Sequence, residues 1–394
     1  MSVGDQSHAV SPIRVAMVLG RDGVGGSESQ AHALVRGLRS AGVEVDFFVI
    51  EGDGSNKVLP SDGARVLISK RRRGIRGIWT MAVALARLRS VFRNGNYTAV
   101  HGVMSRAYVL VPLAAYSLRS RPMIVTWRRN LGIHLAQRSA ASALERIASA
   151  LTDVMVCNSD EVRNYWIERG HARPSKTLVV RNLLESWRFD AVVPQAPSEG
   201  GSRLLAVGGL KPVKGFDLLI DAAADLRRAG HRVDVVIVGD GECRGSLVMQ
   251  AEQAGVPLLL PGHVADPRSW LASADVYVQP SYSEGQSNAI IEAMAQGVPI
   301  VATAVGGSTD LLEGVGTTVP SGDRAELTTA IAMLLVDAEK RTEMGRAAKD
   351  RARDTFDVSE IVSQHIAIYS RQRRRDGVEV RRLGGNRFRG SGLK

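Results

Sequence analysis

The chain has few cysteines. Among its 394 residues there are two, Cys157 and Cys243, and they lie far apart in the sequence. Two isolated thiols build neither a disulfide framework nor a thiolate metal cluster, and this cysteine usage suits a reducing compartment. We therefore predict a cytoplasmic protein without structural disulfides.

The sequence also lacks the usual signals for export and membrane insertion. Its first twelve residues carry no basic start followed by an apolar stretch, which is the mark of a signal peptide. The apolar run from Ala107 to Leu118 is too short to cross a bilayer, since a spanning helix takes about 20 residues. We expect neither secretion nor a membrane span.

Length and hydrophobic patterning indicate two α/β domains. A chain of 394 residues exceeds what one hydrophobic core usually supports. Short apolar runs alternate with helical patterns, which favours mostly parallel sheets covered by helices. In the first half the predicted strands are 13–19, 43–50, 64–68, 99–103, 123–127, 154–157 and 177–180.

Shifts in composition suggest the segment boundaries. The stretch before the second set of strands is rich in Pro, Ala, Ser and Gly, and the far end is rich in Arg and Gly without apolar periodicity. The predicted segments are a disordered start at 1–12, a first Rossmann-like domain at 13–189, a linker at 190–202, a second Rossmann-like domain at 203–356, a final helix at 357–372 and a disordered basic tail at 373–394.

The most informative segment carries two glutamates with seven residues between them. Glu284 is predicted in a loop after a strand, and Glu292 in the helix that follows. Ser287 or Asn288 would cap this helix, so that free backbone N–H groups and the positive end of the dipole face Glu284. A diphosphate fits such a helix start, and carboxylates accept hydrogen bonds from sugar and ribose hydroxyls. The alternative is a solvated loop acid and an ordinary early-helix acid.

Glycine turns and a basic loop precede this segment. The strand at 203–207 leads into Gly208 and Gly209 and then into a loop that carries Lys211 and Lys214. The next predicted strand, 233–238, also ends in a glycine-acid loop that starts at Gly239. Together with the glutamate pair, these blocks indicate a site for a sugar nucleotide.

These blocks, in this order, resemble the retaining glycosyltransferases of family four. That resemblance implies an α/β fold of the GT-B type, with two Rossmann-like domains facing across a cleft and a C-terminal helix crossing back to the first domain. It covers the chain from Ile13 to about Tyr369. The blocks that carry it are 25–28, 207–214, 239–242, 261–264, the pair Glu284 and Glu292, 297–299 and 305–307.

The resemblance implies transfer of a hexose from a UDP- or GDP-sugar to a glycan or lipid-linked acceptor, in cell-envelope or polysaccharide biosynthesis. Its implied catalytic residues are Glu284, Lys214 and Arg129. Its implied donor-binding residues are Gly25, Gly26, Gly209, Lys214, Gly239, His263, Val264, Glu284, Gln286, Ser287, Asn288 and Glu292.

Two positions depart from the family pattern. An arginine commonly stands where this chain has Gly209, so one of the usual two cations on the departing diphosphate is missing. Many members carry a histidine in the loop where this chain has Arg128 and Arg129. We expect one of these arginines to face the donor phosphates and to replace the missing cation. Lys211 is a further candidate, and His101 is more often a structural residue at such a strand end.

The sequence contains no Asp-x-Asp pair, which metal-dependent glycosyltransferases of the other major fold use to hold a divalent cation on the diphosphate. We therefore expect no metal and no cofactor besides the donor itself. Lys214, glycine N–H groups and the helix dipole would hold the diphosphate instead of a metal ion. The resemblance further implies transfer with departure and attack on the same face of the sugar.

Other functions compete with this interpretation. Gly23, Gly25 and Glu51 give a partial dinucleotide fingerprint, but Glu28 stands where its third glycine belongs. A UDP-sugar epimerase with the GT-B fold would share the cleft and would turn over donor without acceptor. A non-catalytic binding protein would explain the two departures but not the retained glutamates.

A formal net charge of +11 also suggests an anionic binding partner. The basic residues 70–73 and Arg76 precede a predicted amphipathic helix at 77–92, which would rest on an anionic membrane surface at the inner face of the membrane. The alternative is a core-packed helix with a solvated basic loop. We predict no nucleic-acid binding, because the basic residues are scattered and lack interleaved aromatics.

Overall fold

Two parallel sheets organise the protein in the computed structural model. The structure describes residues 12–21, 23, 25–52, 63–68, 75–129, 139–196 and 201–371. Within these ranges the first sheet has the order β3-β2-β1-β4-β5-β6-β7. Its strands are β1 Arg14–Arg21, β2 Glu44–Glu51, β3 Arg65–Ile68, β4 Ala99–Val103, β5 Met123–Arg128, β6 Val154–Cys157 and β7 Thr177–Val179.

The second sheet has the order β10-β9-β8-β11-β12-β13, and its pairings are parallel like those of the first. Its strands are β8 Ser202–Val207, β9 Val233–Val238, β10 Leu258–Gly262, β11 Val276–Gln279, β12 Ile300–Thr303 and β13 Thr317–Val319. In both sheets a reversal of strand order, at β1/β4 and at β8/β11, leaves a crevice at the carboxyl ends of the strands, where open α/β sheets bind ligands.

Helices connect the strands, as parallel pairing requires. In the first half they are α1 Gly26–Ser40, α2 Ile75–Asn94, α3 Ser105–Ala115, α4 Ser139–Leu151 and α5 Asp160–Glu168. In the second half they are α6 Phe216–Arg228, α7 Arg244–Ala254, α8 Arg268–Leu271, α9 Asn288–Ala295, α10 Ser308–Leu312, α11 Arg324–Val336, α12 Ala338–Thr355 and α13 Val358–Tyr369.

The last described helix, α13, belongs to the core of the first sheet. Ile361, Val362, Ile368 and Tyr369 pack among the buried residues of that sheet and of α1. His101 at the middle of β4 is fully buried, and its Nδ1 lies 2.7 Å from the Tyr369 hydroxyl. The expected crossing helix and the GT-B arrangement are therefore confirmed.

The predicted strands of the first half are present, with ends shifted by a residue or two. The structure adds β10 and β13, which the hydrophobic pattern did not predict. The strand β8 begins at Ser202, the last residue of the predicted linker. The predicted basic loop at 70–73, the start up to residue 11 and the tail lie outside the described residues. In the described part of the chain, no helix is long and apolar enough to cross a bilayer.

Candidate active site

Lys214 and Glu284 meet at the carboxyl edge of the second sheet. Lys214 ends the turn after β8, Glu284 follows β11, and these two strands are neighbours. The Lys214 Nζ lies 2.6 Å from Glu284 Oε1, which also accepts hydrogen bonds from Ser281 Oγ at 2.8 Å and from Gln279 Nε2 at 3.3 Å. The Glu284 carboxylate is thus fixed by three donors, and one of them is the Lys214 cation.

The helix α9 starts beside this pair. Ser287 is its N-cap, since its Oγ accepts a hydrogen bond from the backbone N–H of Ile290. The other predicted cap, Asn288, instead points across to the first sheet, where its Nδ2 donates to Gly26 O at 2.8 Å. The side chain of Gln286 is buried and accepts a hydrogen bond from the backbone N–H of Asn182 at 2.7 Å.

A glycine turn from the first sheet faces the start of α9. Gly25 occupies the N-cap position of α1 and offers no side-chain cap to the free N–H groups of its first turn. A Cβ on Gly25 would lie 2.6 Å from Glu28 Oε2, and one on Gly26 would lie 2.8 Å from Asn288 Nδ2. A side chain at either position would require Glu28 or Asn288 to shift, and with glycine at both the turn presents only backbone at this place.

Arg129 lies behind the glycine turn without a full set of partners. Its guanidinium is buried and stacks over the Trp127 ring, 4.7 Å from the ring centre. Its Nη2 lies 3.4 Å from Gly26 O, whereas Nε and Nη1 have no hydrogen-bond partner among the described residues. Burial lowers the pKa of Arg129 to about 10, so the side chain remains a cation at neutral pH. An anion at the turn would supply the missing acceptors.

The neighbouring Arg128 is already paired. It is fully buried, forms an ion pair with Glu145 and donates from Nη2 to Ser149 Oγ at 3.1 Å. Its guanidinium lies between the rings of Tyr108 and Trp166, at 4.0 Å and 4.4 Å. The sequence left open which of the two arginines faces the site. Glu145 and Ser149 occupy both terminal nitrogens of Arg128, and only its Nε has no partner among the described residues, so Arg129 is carried forward as the candidate.

Glu292 has a partner that the sequence did not indicate. It lies in α9 with little exposure, and its carboxylate forms an ion pair of 3.1 Å with Arg188. Burial raises the pKa of Glu292, and the positive charge of Arg188 opposes that shift. The pair lines a small cavity between α1, α9 and the segment 183–188 that joins the two sheets.

The glycine loops of the second sheet lie close together. Gly239 has a φ of +150°, and a Cβ there would lie 1.9 Å from Gly208 O, so only glycine fits. Gly209 has room, since a Cβ would find its nearest neighbour at 3.8 Å. After β10, His263 is exposed, and Val264 packs against a cluster of buried residues that includes α9 and β12 side chains. Among the described residues, neither forms a hydrogen bond or an ion pair with Lys214 or Glu284.

Two competing candidates have structural roles. Glu51, the acid of the partial dinucleotide fingerprint, is buried and forms an ion pair with Arg106. Burial, with the neighbouring His365, holds the pKa of His101 well below its usual range, so this imidazole is neutral inside the core. Among the described residues no group of three or more His, Cys, Asp or Glu side chains is arranged to hold a metal ion.

Comparison with known proteins identifies the family. The family described as Glycosyltransferase Family 4 matches residues 24–188, and the family described as Glycosyl transferases group 1 matches residues 201–337. The chain belongs to this family of retaining GT-B glycosyltransferases. Residues 189–200, between the two sheets, separate the two matches, so each half of the family-four glycosyltransferase is recognised separately.

Relatives and solved structures agree with this membership. The chain is 36% identical over 166 residues to a D-inositol 3-phosphate glycosyltransferase of Pseudarthrobacter chlorophenolicus, a match that spans 40% of each protein. It is 27% identical over 281 residues to a 2-deoxystreptamine glucosyltransferase of Streptomyces kanamyceticus, which covers 68% of each. Its fold is similar to that of Anabaena HepE in complex with UDP-glucose, with a TM-score of 0.76, 22% identity and coverage of 90% and 99%.

Sequence reasoning missed Asn182, Arg188 and Gln30 in this glycosyltransferase. Asn182 and Arg188 belong to the joining segment after β7, and Gln30 belongs to α1. Their polar partners lie more than a hundred residues away in the chain, at Gln286, Glu292 and Leu183. The signal that could have pointed to Asn182 is its burial in a segment without regular secondary structure. A single sequence does not show that burial.

Proposed function

We propose that this protein transfers a hexose from a nucleotide-diphosphate sugar, with retention of configuration and without a metal ion. The observation that carries the proposal is the Lys214–Glu284 contact of 2.6 Å at the carboxyl edge of the second sheet. In the first half, Gly26 O accepts hydrogen bonds from Asn288 Nδ2 at the start of α9 and from Arg129 Nη2, and the other two Arg129 nitrogens have no hydrogen-bond partner among the described residues. These groups supply a carboxylate for hydroxyls and cations for phosphates in one place.

Each group has a proposed task in the reaction. The C1–O bond to the diphosphate breaks, and Lys214 and Arg129 stabilise the negative charge that the leaving group gains. Glu284 accepts hydrogen bonds from the sugar hydroxyls and Glu292 from those of the ribose, while Gly239, His263 and Val264 receive the nucleotide. The departing phosphate oxygen takes the acceptor proton, and the new glycosidic bond forms on the face that the diphosphate leaves.

Donor binding is the first test of this proposal. We expect calorimetry across UDP-, GDP- and ADP-sugars to show saturable binding of one nucleotide, unaffected by EDTA and weakened by Arg129→Ala. One or two lost charge-assisted hydrogen bonds predict an affinity about 10- to 100-fold lower. UDP is the favoured donor nucleotide, because HepE, a protein of similar fold, was solved with UDP-glucose.

The outcomes separate the competing functions. Arg129→Lys keeps the charge but not the planar fork, so it is the matched variant for charge against geometry. Binding to no nucleotide by the wild type would overturn the proposal and favour a non-catalytic GT-B protein. Conversion of the donor without any acceptor would favour an epimerase.

We also propose that the acceptor is a glycan or lipid-linked molecule reached from an anionic membrane surface. From Gly63 to Leu144 the chain has 15 Lys and Arg residues and no Asp or Glu, and of these basic residues Arg128 and Arg129 are buried and do not add to the surface charge. The helices α2, α3 and α4 of this stretch pack side by side. They expose large apolar side chains, including Trp79 at 71% and Ile147 at 54%. Each basic residue near an anionic surface contributes about 1 kcal/mol, and an exposed indole adds apolar contact.

Vesicle binding tests this surface. We expect the protein to co-sediment with vesicles rich in phosphatidylglycerol, and not with pure phosphatidylcholine, in a way that high salt reverses. Trp79→Asp should weaken that binding. Val336→Asp, at a residue of α11 that is 74% exposed, is the matched control and should leave it unchanged. Equal binding to both lipids, or equal loss in the two variants, would contradict the proposal.

A further inference from the structure

The segment that joins the two sheets is held by both of them at consecutive residues. The backbone N–H of Asn182 donates to Gln286 Oε1 at 2.7 Å, in the loop that leads to α9. The backbone N–H of Leu183 donates to Gln30 Oε1 at 2.9 Å, and Gln30 Nε2 returns a hydrogen bond to Leu183 O at 2.8 Å. Two glutamine side chains, one from each half of the protein, therefore grip adjacent peptide units.

The side chain of Asn182 extends this contact into the cleft. Asn182 is fully buried, and its Nδ2 donates to Asn288 Oδ1 at 2.6 Å. Asn288 Nδ2 in turn donates to Gly26 O at 2.8 Å. This Asn182–Asn288–Gly26 relay connects the joining segment, the start of α9 and the glycine turn of the first half. Two of its three elements, the start of α9 and the glycine turn, are those that the proposed function places around the diphosphate.

We propose that Asn182 is a positioning residue that couples the packing of the joining segment on the first half to the alignment of the donor-binding elements. When the joining segment packs on α1 through Gln30, the relay sets the start of α9 against Gly26. The contacts are short and directional, and they connect parts of the chain 104 to 262 residues apart; the Asn182–Gln286 contact is buried, whereas the Asn288–Gly26 contact is exposed. This role rests on the proposed donor site, because it concerns the same helix start and glycine turn.

A change of one atom breaks the relay. In Asn182→Asp the Nδ2 donor becomes an oxygen, which then faces Asn288 Oδ1. If the Asn288 amide turns over to donate to the new carboxylate, its own oxygen faces Gly26 O instead. With an ionised carboxylate, either orientation leaves two oxygens in contact at one step. The bond from Asn182 Nδ2 to Gln286 O at 3.3 Å is lost as well, while the backbone N–H bond to Gln286 Oε1 is retained.

Distance measurements between the two halves test the coupling directly. With Cys243→Ser as background, spin labels at Glu168→Cys and Glu339→Cys report the separation of the halves by pulsed electron resonance, since both side chains are exposed. We expect Asn182→Asp to broaden the distance distribution in the absence of donor. With UDP-sugar and acceptor, the variant should show a higher donor KM and a kcat/KM lower by about tenfold or more.

Controls separate positioning from simple loss of stability. Asn164→Asp makes the same change at an exposed residue of α5 and should match the wild type in both measurements. Asn288→Ala cuts the relay at a partly exposed side chain without burying a charge, so it keeps the test open if Asn182→Asp folds poorly. Asn182→Asp should then have a smaller effect on KM and distance in the Asn288→Ala background than in the wild type.

Three results would overturn the inference: an unchanged distance distribution, an unchanged KM, or effects of the two variants that multiply in the double variant. The donor-free distance measurement does not depend on catalysis. Failure of the wild type to bind any nucleotide sugar would count against the proposed function, whereas the distance result would still decide whether the relay holds the halves together.

Discussion

Replacing Lys214 by alanine is expected to lower kcat by about 100- to 1,000-fold, the usual effect of removing a charge that stabilises a transition state. The Nζ lies 2.6 Å from Glu284, so the variant loses the cation for the leaving diphosphate and also leaves this carboxylate with two neutral donors. Both changes act where charge develops, so kcat should fall more than donor affinity. Initial rates at saturating donor measure this.

Lys211 provides the matched control for this prediction. It lies in the same loop and is exposed, and no ion pair of Lys211 is found in the described part of the chain. Lys211→Ala should keep near wild-type turnover. If the two alanine variants lost activity equally, the general charge of the loop would be responsible, and the specific role of Lys214 would be wrong.

Arg128→Ala is expected to destabilise the fold by about 3–5 kcal/mol, because it leaves the buried carboxylate of Glu145 without its partner. The guanidinium also fills the space between Tyr108 and Trp166 and donates to Ser149, so its removal costs packing as well. Urea unfolding followed by circular dichroism measures the change in the free energy of unfolding.

Two variants identify the cause of that loss. Arg128→Met combined with Glu145→Leu removes both charges and should recover much of the stability, since well-packed apolar residues replace buried pairs at little cost. Arg228→Ala removes an arginine from an exposed ion pair with Asp225 and should change stability little. No recovery in the double variant would show that lost packing, rather than the unpaired carboxylate, causes the destabilisation.

The fold was predictable where apolar runs are long and flanked by turns. Strands such as β1 and β9 consist of nearly continuous buried apolar residues, the pattern of a parallel strand covered on both faces. By contrast, β10 contains Pro261 and an exposed Leu259 at the sheet edge, and β13 has only three residues. Pro261 interrupts the apolar run of β10, and two of the three residues of β13 are threonines, so neither strand was predicted.

The candidate site was predictable where local order determines position. Lys214 and Glu284 follow strands whose pairing brings their carboxyl ends together, so a loop assignment was sufficient to place them. The choice between Arg128 and Arg129 needed the position of Glu145, and the pairing of Glu292 needed that of Arg188. Such partners depend on tertiary packing, which one sequence does not contain.

The packing of α13 against β4 and α1 bears on how the chain matures. Ile361, Val362, Ile368 and Tyr369 fill the interior of a sheet whose strands all leave the ribosome before the second sheet is synthesised. Part of the apolar interior of the first half therefore stays uncovered until α13, which is synthesised after the second sheet, packs on it. A fragment that ends at residue 189 would keep that surface exposed to water and to other chains.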